Sequence, residues 1–187
     1  AWHGHRVHDQ LGLLIDHLKR RPDSRRAVLA MWDPEIDLDV NKKDVPCNDM
    51  AFFDCRGGVL NMTVSCRSND VLLGCFGANA VHFSVLLEYT AAHIGVPVGV
   101  YRQFSNNFHA YTELEGYPSI DPLVIGEDDR YVTGEVTPFP LVRDPKCFDI
   151  ELFRFMSDPL GDTAFEEPFF GEVASPMYAS WSDRKSK

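Results

Sequence analysis

Cys47 is the side chain in this sequence best suited to nucleophilic chemistry. It follows Pro46 and precedes Asn48, and the five cysteines of the chain show no CxxC spacing. Thiolates add to electron-poor double bonds, and a neighbouring arginine stabilises them. Because most free cysteines are buried and inert, the case for Cys47 depends on the residues that surround it.

Arginines in two segments can bind an anion near such a cysteine. Arg25 and Arg26 stand side by side before an apolar run, and Arg67 is followed by Ser68. A guanidinium binds a phosphate through two parallel hydrogen bonds, and a hydroxyl adds a third. A solvated charged surface explains Arg25 and Arg26 equally well. Arg67 is the stronger candidate, because it lies between a β-run and an apolar stretch, where an unpaired charge is costly.

Composition limits the classes of partner. The 187 residues carry 18 basic and 28 acidic side chains, a formal net charge of −10, which argues against a nucleic-acid partner. An odd number of cysteines argues against a disulfide framework. We find no continuous apolar run of about 18 residues and no secretory leader, so we expect no membrane partner and a cytoplasmic location.

Hydrophobic periodicity predicts the elements that position these residues. The spacing of Leu11, Leu14, Ile15 and Leu18 predicts a helix after Asp9. Apolar runs predict strands over residues 26–32, 50–56, 59–66 and 96–111, with a Gly-Gly hairpin turn at positions 57 and 58. The acidic segment 33–44 reads as a surface loop.

A long core helix is predicted over residues 79–95, ending at a glycine. Its predicted buried face carries Val81, Val85, Leu86, Tyr89 and Ala92 or His93. Strands mixed with a few long helices predict an α+β fold. The length predicts one domain over residues 1–187.

Five segments in a fixed order resemble the signatures of the thymidylate synthase family. They are Pro22-Asp23-Ser24-Arg25-Arg26, Pro46-Cys47, Cys66-Arg67-Ser68-Asn69-Asp70 with Leu73-Gly74, Asn79 at the start of the long helix, and His109-Ala110-Tyr111. The ordered set, from roughly Trp2 to Tyr111, is far more specific than any one motif. The resemblance implies a thymidylate synthase-like α+β fold, with a mixed β-sheet and a long core helix.

The resemblance also implies a reaction. Cys47 would add to C6 of a deoxypyrimidine monophosphate, and C5 would then take the methylene group of 5,10-methylenetetrahydrofolate, the co-substrate; no metal is implied. Arg67 would bind the phosphate and keep Cys47 ionised, and Asn79 would read the pyrimidine ring. An amide both donates and accepts, which suits O4 and N3–H of uracil, so dUMP is favoured over dCMP.

The other implied roles concern binding of the two substrates and of a second subunit. Arg25 and Arg26 would reach the phosphate held by a partner subunit, which implies an obligate homodimer. The further substrate-binding residues are Ser68, His109 and Tyr111, and the folate-binding residues are Asp70 and Gly74.

The sequence departs from the family pattern at several positions. Asn48 stands where these enzymes usually have His, Cys66 replaces Gln, and the interval from Gly74 to Asn79 is one residue longer. The amino-terminal part that normally supplies a catalytic Glu and a folate-stacking Trp is not found, and residues 165–187 do not resemble the tail that closes over folate. The reaction passes through an intermediate with an exocyclic methylene group on C5. Without the closure water can reach this group and form a hydroxymethyl product, so the chain resembles nucleotide hydroxymethylases as well.

Two alternatives stay open beside an enzyme of this family. His3, His5 and His8 could bind a divalent metal, although no spaced Cys or carboxylate completes the site. A homologue without the amino-terminal Glu could bind nucleotide and act as a regulator or subunit. The tail aromatics, Phe169, Phe170, Tyr178 and Trp181, are predicted to serve packing or a partner contact.

Overall fold

Four strands form the mixed sheet of the first part of the chain. β1 (Val28–Ala30), β2 (Asn48–Asp54), β3 (Leu60–Asp70) and β4 (Val98–His109) lie side by side in chain order. Neighbours β1, β2 and β3 are antiparallel, whereas β4 is parallel to β3. This confirms the predicted α+β class and mixed sheet, although β3 continues four residues past the predicted end at position 66.

The computed structural model describes residues 9–39, 41, 44–111, 113, 130–137, 139–162 and 164–185. Its contacts divide the chain into two compact units, residues 1–119 and 120–187. The prediction of one domain over residues 1–187 stays a prediction.

Between β2 and β3 the chain turns through Arg56–Gly58, as the glycine pair predicts. Gly57 and Gly58 have φ of 68° and 79°, a region that side chains with a Cβ rarely occupy. The turn therefore requires glycine, and it sets the pairing of the two strands that follow from it.

Helix α1 (Gln10–Arg20) has the predicted bounds and buried face. The side chain of Asp9 accepts a hydrogen bond from Gly12 N (2.9 Å), which caps the helix. Leu14, Ile15 and Leu18 are buried against the sheet side of the unit.

Helix α2 (Pro34–Asp37) occupies part of the segment predicted to be a loop. Asp33 caps it by accepting from Glu35 N (3.0 Å), and Pro34 stands at its first position. Both features favour a helix start. The loop prediction is therefore wrong for these four residues, because a capped proline outweighs the acidic composition.

The long core helix is present as α3 (Asn79–Ile94) and ends at Gly95, whose φ of 86° is left-handed. Its predicted face is wrong. The buried side chains are Phe83, Leu87, Thr90 and Ala91, whereas Val81 and Val85 are exposed. The helix is apolar on several faces, so its periodicity alone does not select the packed one.

A π-helix over Val71–Ala78 precedes α3, and the chain is kinked at Gly77, whose φ of −104° and ψ of −115° are not helical. Together, Val71–Ile94 form a kinked helical stretch of 24 residues, which meets the length and composition of a membrane span. Polar residues such as Asn79, His82 and Glu88 interrupt this stretch, so it contains no continuous apolar run of about 18 residues. The expectation of no membrane partner stays a prediction. One such helix is weak evidence for a membrane, since core helices of soluble proteins pass the same test, and α3 packs its Phe83 and Leu87 into the core.

The two faces of the sheet differ sharply in burial. The inner face packs against α1 and α3 through side chains that are almost fully buried, among them Ala51, Met62, Val64 and Cys66. The outer face is open and mostly apolar. Its exposed members are Val28, Met50, Phe52, Val98, Val100, Phe104 and Phe108.

The second unit is built from α4 (Pro145–Ser157), a π-helix (Phe169–Ala174) and α5 (Ser175–Lys185). Phe170, 1% exposed, is central: its ring lies within 6 Å of four other phenylalanine rings. The buried carboxylate of Glu151 accepts hydrogen bonds from the backbone N–H groups of Glu166 and Glu167 (both 2.8 Å). These contacts give a packing role to Phe169 and Phe170, as predicted for the tail, while Trp181 is 46% exposed.

Replacing Gly95 by Ala tests the left-handed end of α3. A Cβ at this position meets no atom within 4 Å, so the cost comes from backbone conformation alone. We expect Gly95→Ala to lower the free energy of unfolding by about 1 kcal/mol in urea titrations. Ser84→Ala, at an exposed position of the same helix, should change it by less than about 0.5 kcal/mol. Equal effects of both substitutions would contradict the conformational explanation.

Candidate active site

The pairing of β2 with β3 brings Cys47 beside Arg67. Asn48 pairs with Cys66, and the backbone N–H of Arg67 donates to the carbonyl of Cys47 (2.9 Å). Cys47 itself is exposed. A nucleophile and a cation that are 20 residues apart in sequence thus share one end of the hairpin.

A β-bulge at Asp49 sets this register. From Asn48 to Met50 the chain advances two residues, while β3 advances one, from Cys66 to Ser65. The carbonyl of Asp49 accepts from the N–H groups of both Met31 and Trp32 (2.9 and 3.1 Å), so the extra residue is held from the β1 side. Bulges re-aim side chains and are common next to active sites.

Arg67 is held by the segment that carries the nucleophile. Its Nε donates to the carbonyl of Pro46 (2.8 Å), and its Nη2 donates to that of Val45 (3.1 Å). Nη2 lies 4.0 Å from the sulfur of Cys47, and the guanidinium lies over the Trp32 ring, 5.5 Å from its centroid. The remaining donors of the guanidinium can meet an anion beside Cys47.

Asn79 joins a series of hydrogen-bonded side chains next to Cys47. Its Oδ1 accepts from Asn48 Nδ2 (3.3 Å), and its Nδ2 donates to Asn69 Oδ1 (2.9 Å). Asn69, 2% exposed, donates in turn to Ser105 Oγ (3.0 Å). The amide of Asn79 is therefore held at both ends, and one of its partners, Asn48, directly follows Cys47 in the chain.

The two departures from the family pattern contact each other. Cys66 Sγ donates to Asn48 Oδ1 (2.9 Å), and Gln103 Nε2 donates to Cys66 Sγ (3.2 Å). Burial raises the pKa of the Cys66 thiol, and this outweighs the opposing effect of the Gln103 hydrogen bond. The thiol is therefore protonated near neutral pH and is a donor. The two residues that depart from the family pattern, Asn48 and Cys66, are thus hydrogen-bonded to each other.

The π-helix accounts for the extra residue between Gly74 and Asn79. The N–H of Asn79 donates to the carbonyl of Gly74, five residues earlier, whereas an α-helix bonds four residues apart. The wider turn takes up one residue, and Asn79 still reaches Asn69 and Asn48. Gly74 is required by proximity, because a Cβ there would lie 2.4 Å from Asn69 Oδ1.

Asp70 has a structural contact that the motif does not predict. Its Oδ1 accepts from Leu72 N (3.0 Å) and from Leu73 N, which caps the π-helix. Asp70 and Gly74 therefore both shape the turn beside Asn79. Their folate-binding role stays a prediction.

His109 and Tyr111 lie at the carboxyl end of β4. His109 pairs in register with Asp70, and Ser68 pairs with Asn107. His109 Nδ1 donates to Asn107 Oδ1 (3.0 Å), and the His109 and Tyr111 rings meet edge to face with centroids 5.0 Å apart. Parallel pairing thus brings the His-Ala-Tyr segment to the same end of the sheet as Ser68. Their shared substrate-binding role stays a prediction.

Arg25 and Arg26 are not brought to Cys47 of their own chain. The N–H of Phe53 donates to the carbonyl of Ala27 (2.9 Å), so the arginine pair lies near the far end of β2. With a rise of about 3.3 Å per residue, that end is roughly 20 Å from Cys47. Both arginines are exposed.

The metal alternative cannot be located in the structure. His3, His5 and His8 lie outside the described residues. Within the described parts of the chain, no group of three or more His, Cys, Asp or Glu side chains could hold a metal ion.

Comparison with known proteins identifies the family of the chain. Residues 2–117, more than half of the chain, match the thymidylate synthase family model. The chain belongs to the thymidylate synthase family. The matched region contains every site residue discussed above, and the recognised fold is thymidylate synthase-like.

Individual relatives in the thymidylate synthase family include phage enzymes. The deoxyuridylate hydroxymethyltransferase of Pseudomonas phage M6 is 46% identical over 185 residues, which cover 94% of this chain and 52% of that protein. That of Bacillus phage SP01 is 38% identical over 140 residues, 73% of this chain and 35% of that protein. The structure of thermostable thymidylate synthase A from Bacillus subtilis superposes with a TM-score of 0.50 at 33% identity, covering 56% of this chain and 36% of that one. The chain thus spans about half the length of the first relative and less of the others.

Several residues of this candidate site have a role that the sequence does not predict. Asn69, Ser105 and Gln103 are ordinary polar residues in strands, and their side chains become informative only through their partners. The Trp32 ring lies under the Arg67 guanidinium, and the Trp32 N–H bonds to the Asp49 carbonyl at the bulge. The unusual residues at positions 48 and 66 were the available signal, since both depart from the family pattern.

Replacing Gly74 by Ala tests the close approach that supports Asn79. The added methyl would displace the Asn69 side chain, so we expect a loss of about 1–3 kcal/mol in the free energy of unfolding. Gly171→Ala is the matched control, because its Cβ in the other π-helix would meet only Phe165 Cβ at 4.0 Å. Urea unfolding of the double variant Gly74→Ala/Asn69→Ala should show strong non-additivity. Additive effects would contradict the proposed clash.

Proposed function

We propose that this protein transfers the methylene unit of 5,10-methylenetetrahydrofolate to C5 of dUMP and releases 5-hydroxymethyl-dUMP and tetrahydrofolate. The observation that carries the proposal is the exposed thiol of Cys47, with the Arg67 guanidinium 4.0 Å away and the Asn79 amide bonded to the adjacent Asn48. A nucleophile, an anion-binding cation and a group that can read a base edge therefore stand together.

The proposed reaction begins with bond formation between Cys47 Sγ and C6 of the uracil ring. The electron pair of the C5–C6 double bond moves towards C5 and O4, which makes C5 nucleophilic. C5 attacks the folate methylene and then loses its proton. Departure of tetrahydrofolate, which leaves with the electrons of the methylene–nitrogen bond, creates an exocyclic methylene on C5.

Water then completes the reaction. Its oxygen bonds to the exocyclic methylene and its proton passes to solvent, while the electrons return to the ring and expel the Cys47 thiolate. The ring atoms undergo no net reduction, so tetrahydrofolate is the folate product. In the methyl-forming variant, by contrast, hydride from the folate reduces the methylene and dihydrofolate leaves.

Two lines of support favour hydroxymethyl over methyl transfer. The phage M6 and SP01 relatives are both named deoxyuridylate hydroxymethyltransferases. Asn48 and Cys66 replace residues usual in the methyl-forming enzymes and bond to each other. The relatives' substrate is a uracil nucleotide, so dCMP is the less favoured alternative.

The product assay tests this function directly. The protein, 5,10-methylenetetrahydrofolate and dUMP should yield 5-hydroxymethyl-dUMP and tetrahydrofolate by mass spectrometry. Cys47→Ser should lower kcat by at least about three orders of magnitude, because a serine hydroxyl is not ionised, while the affinity for dUMP is kept. Cys55→Ser, a half-buried cysteine elsewhere on the sheet, is the control and should keep its activity. Methylated dUMP with dihydrofolate would instead identify a methyl-forming enzyme, and binding without turnover would favour a regulatory homologue.

We also propose that two copies of the protein form the working unit. Arg25 and Arg26 lie roughly 20 Å along the sheet from Cys47 of their own chain, so they can reach a phosphate only in another subunit. The open outer face of the sheet supplies an apolar surface for that contact, with Phe104 65% and Phe108 55% exposed. Exposed apolar patches of this kind mark association surfaces. The cytoplasmic location and the absence of nucleic-acid and membrane partners stay predictions.

Subunit mixing tests the shared site. Cys47→Ser and the double variant Arg25→Ala/Arg26→Ala should each be nearly inactive alone. Unfolded and refolded together in equal amounts, they should regain about a quarter of wild-type activity, because half of the dimers then carry one intact site. No recovery, with both variants dimeric by light scattering, would mean that the arginines act within their own chain or not at all.

A further inference from the structure

The donor and acceptor roles in the hydrogen bonds around Asn79 are set by one buried thiol, that of Cys66. Cys66 is fully buried at 0% exposure, and its sulfur lies 2.9 Å from Asn48 Oδ1. A thiol can donate to this contact only if the facing atom of Asn48 is the carbonyl oxygen. Burial raises the pKa of Cys66, so the proton needed for donation is present at neutral pH.

The orientation of Asn48 then dictates that of Asn79. With its oxygen facing Cys66, Asn48 must present its amino group to Asn79, and Asn79 must meet it with Oδ1. The opposite end of Asn79 is then Nδ2, which donates to Asn69 Oδ1. Rotating the Asn79 amide by half a turn would oppose two amino groups on one side and two carbonyl oxygens on the other, so both hydrogen bonds would be lost.

Asn79 still has hydrogen-bonding capacity for a ligand. The contacts to Asn48 and Asn69 use one lone pair of Oδ1 and one hydrogen of Nδ2, which leaves one acceptor and one donor. The side chain is half-buried rather than enclosed. A donor and an acceptor in this fixed order match a ring edge that presents a carbonyl oxygen next to an N–H.

We propose that Cys66 and Asn48 are positioning residues that lock the Asn79 amide in the orientation that accepts uracil and rejects cytosine. This inference rests on the proposed function, because it assigns the base edge read at the same site. Uracil presents O4 to Nδ2 and N3–H to Oδ1. Cytosine presents an amino group and an unprotonated N3, so it would oppose donor to donor and acceptor to acceptor.

Gln103 completes the arrangement from the opposite side of the thiol. Its Nε2 donates to Cys66 Sγ (3.2 Å), which directs the thiol hydrogen away from β4 and towards Asn48. The lock is therefore carried by side chains that act on the base through Asn79. A serine at position 66 can reproduce it, because a hydroxyl donates in the same direction, whereas an alanine cannot.

Affinities for dUMP and dCMP, measured by calorimetry on the whole protein, test the lock without relying on turnover. Wild type should prefer dUMP, and Cys66→Ala should reduce the ratio of the two dissociation constants by roughly tenfold or more. Cys66→Ser creates a similar loss of volume but keeps a donor, so it should restore most of the preference. Cys55→Ala is the matched control: its thiol packs against the same core but has no part in these hydrogen bonds.

Each outcome bears on a different claim. A ratio in Cys66→Ala equal to that of wild type, with thermal unfolding showing a folded protein, overturns the lock and leaves the proposed function intact. Equal loss in the Ala and Ser variants also overturns it, since packing alone would then explain the effect. Wild-type protein that binds neither nucleotide overturns the proposed function, and the lock with it.

Discussion

The register of the β2–β3 hairpin is the constraint on which the rest of the site depends. The glycine turn starts the pairing, and the bulge at Asp49 shifts it by one residue before the strands reach Cys47. Since a shift of one residue exchanges the two faces of a strand, this bulge decides that Arg67 stands opposite the nucleophile. It also sets Asn48 opposite Cys66 on the buried side. One irregularity in one pair of strands therefore positions the Cys47 thiol, the Arg67 guanidinium and the Asn48 side chain that bonds to Asn79.

A second irregularity, the π-helix before α3, positions Asn79 at the same site. It absorbs the residue by which this chain exceeds the family pattern, so that Asn79 still meets Asn48 and Asn69. Asp70 caps this helix and Gly74 leaves room for the Asn69 oxygen. Both the bulge and the π-helix before α3 lie next to residues for which chemistry is proposed.

Much of the fold, but less of the site, could be predicted from the sequence. Strands, hairpin and long helix follow from apolar runs and glycine positions, because those patterns are local. The buried face of α3 does not, since the helix is apolar nearly all round and packing selects Phe83 over Val81. The bulge at Asp49 leaves no local signature, and its carbonyl is bonded by Met31 and Trp32, which follow β1. The amide series likewise joins residues from β2, β3, β4 and α3, which only the assembled sheet brings together.

Covalent attack by Cys47 is the central claim, and a substrate that stalls after attack tests it most directly. With 5-fluoro-dUMP and 5,10-methylenetetrahydrofolate, C5 carries fluorine, which cannot leave as the proton does, so the adduct should accumulate. Peptide mass spectrometry should then find nucleotide and folate together on the peptide that contains Cys47. An unmodified Cys47, or a label on another cysteine such as Cys55, would contradict the account.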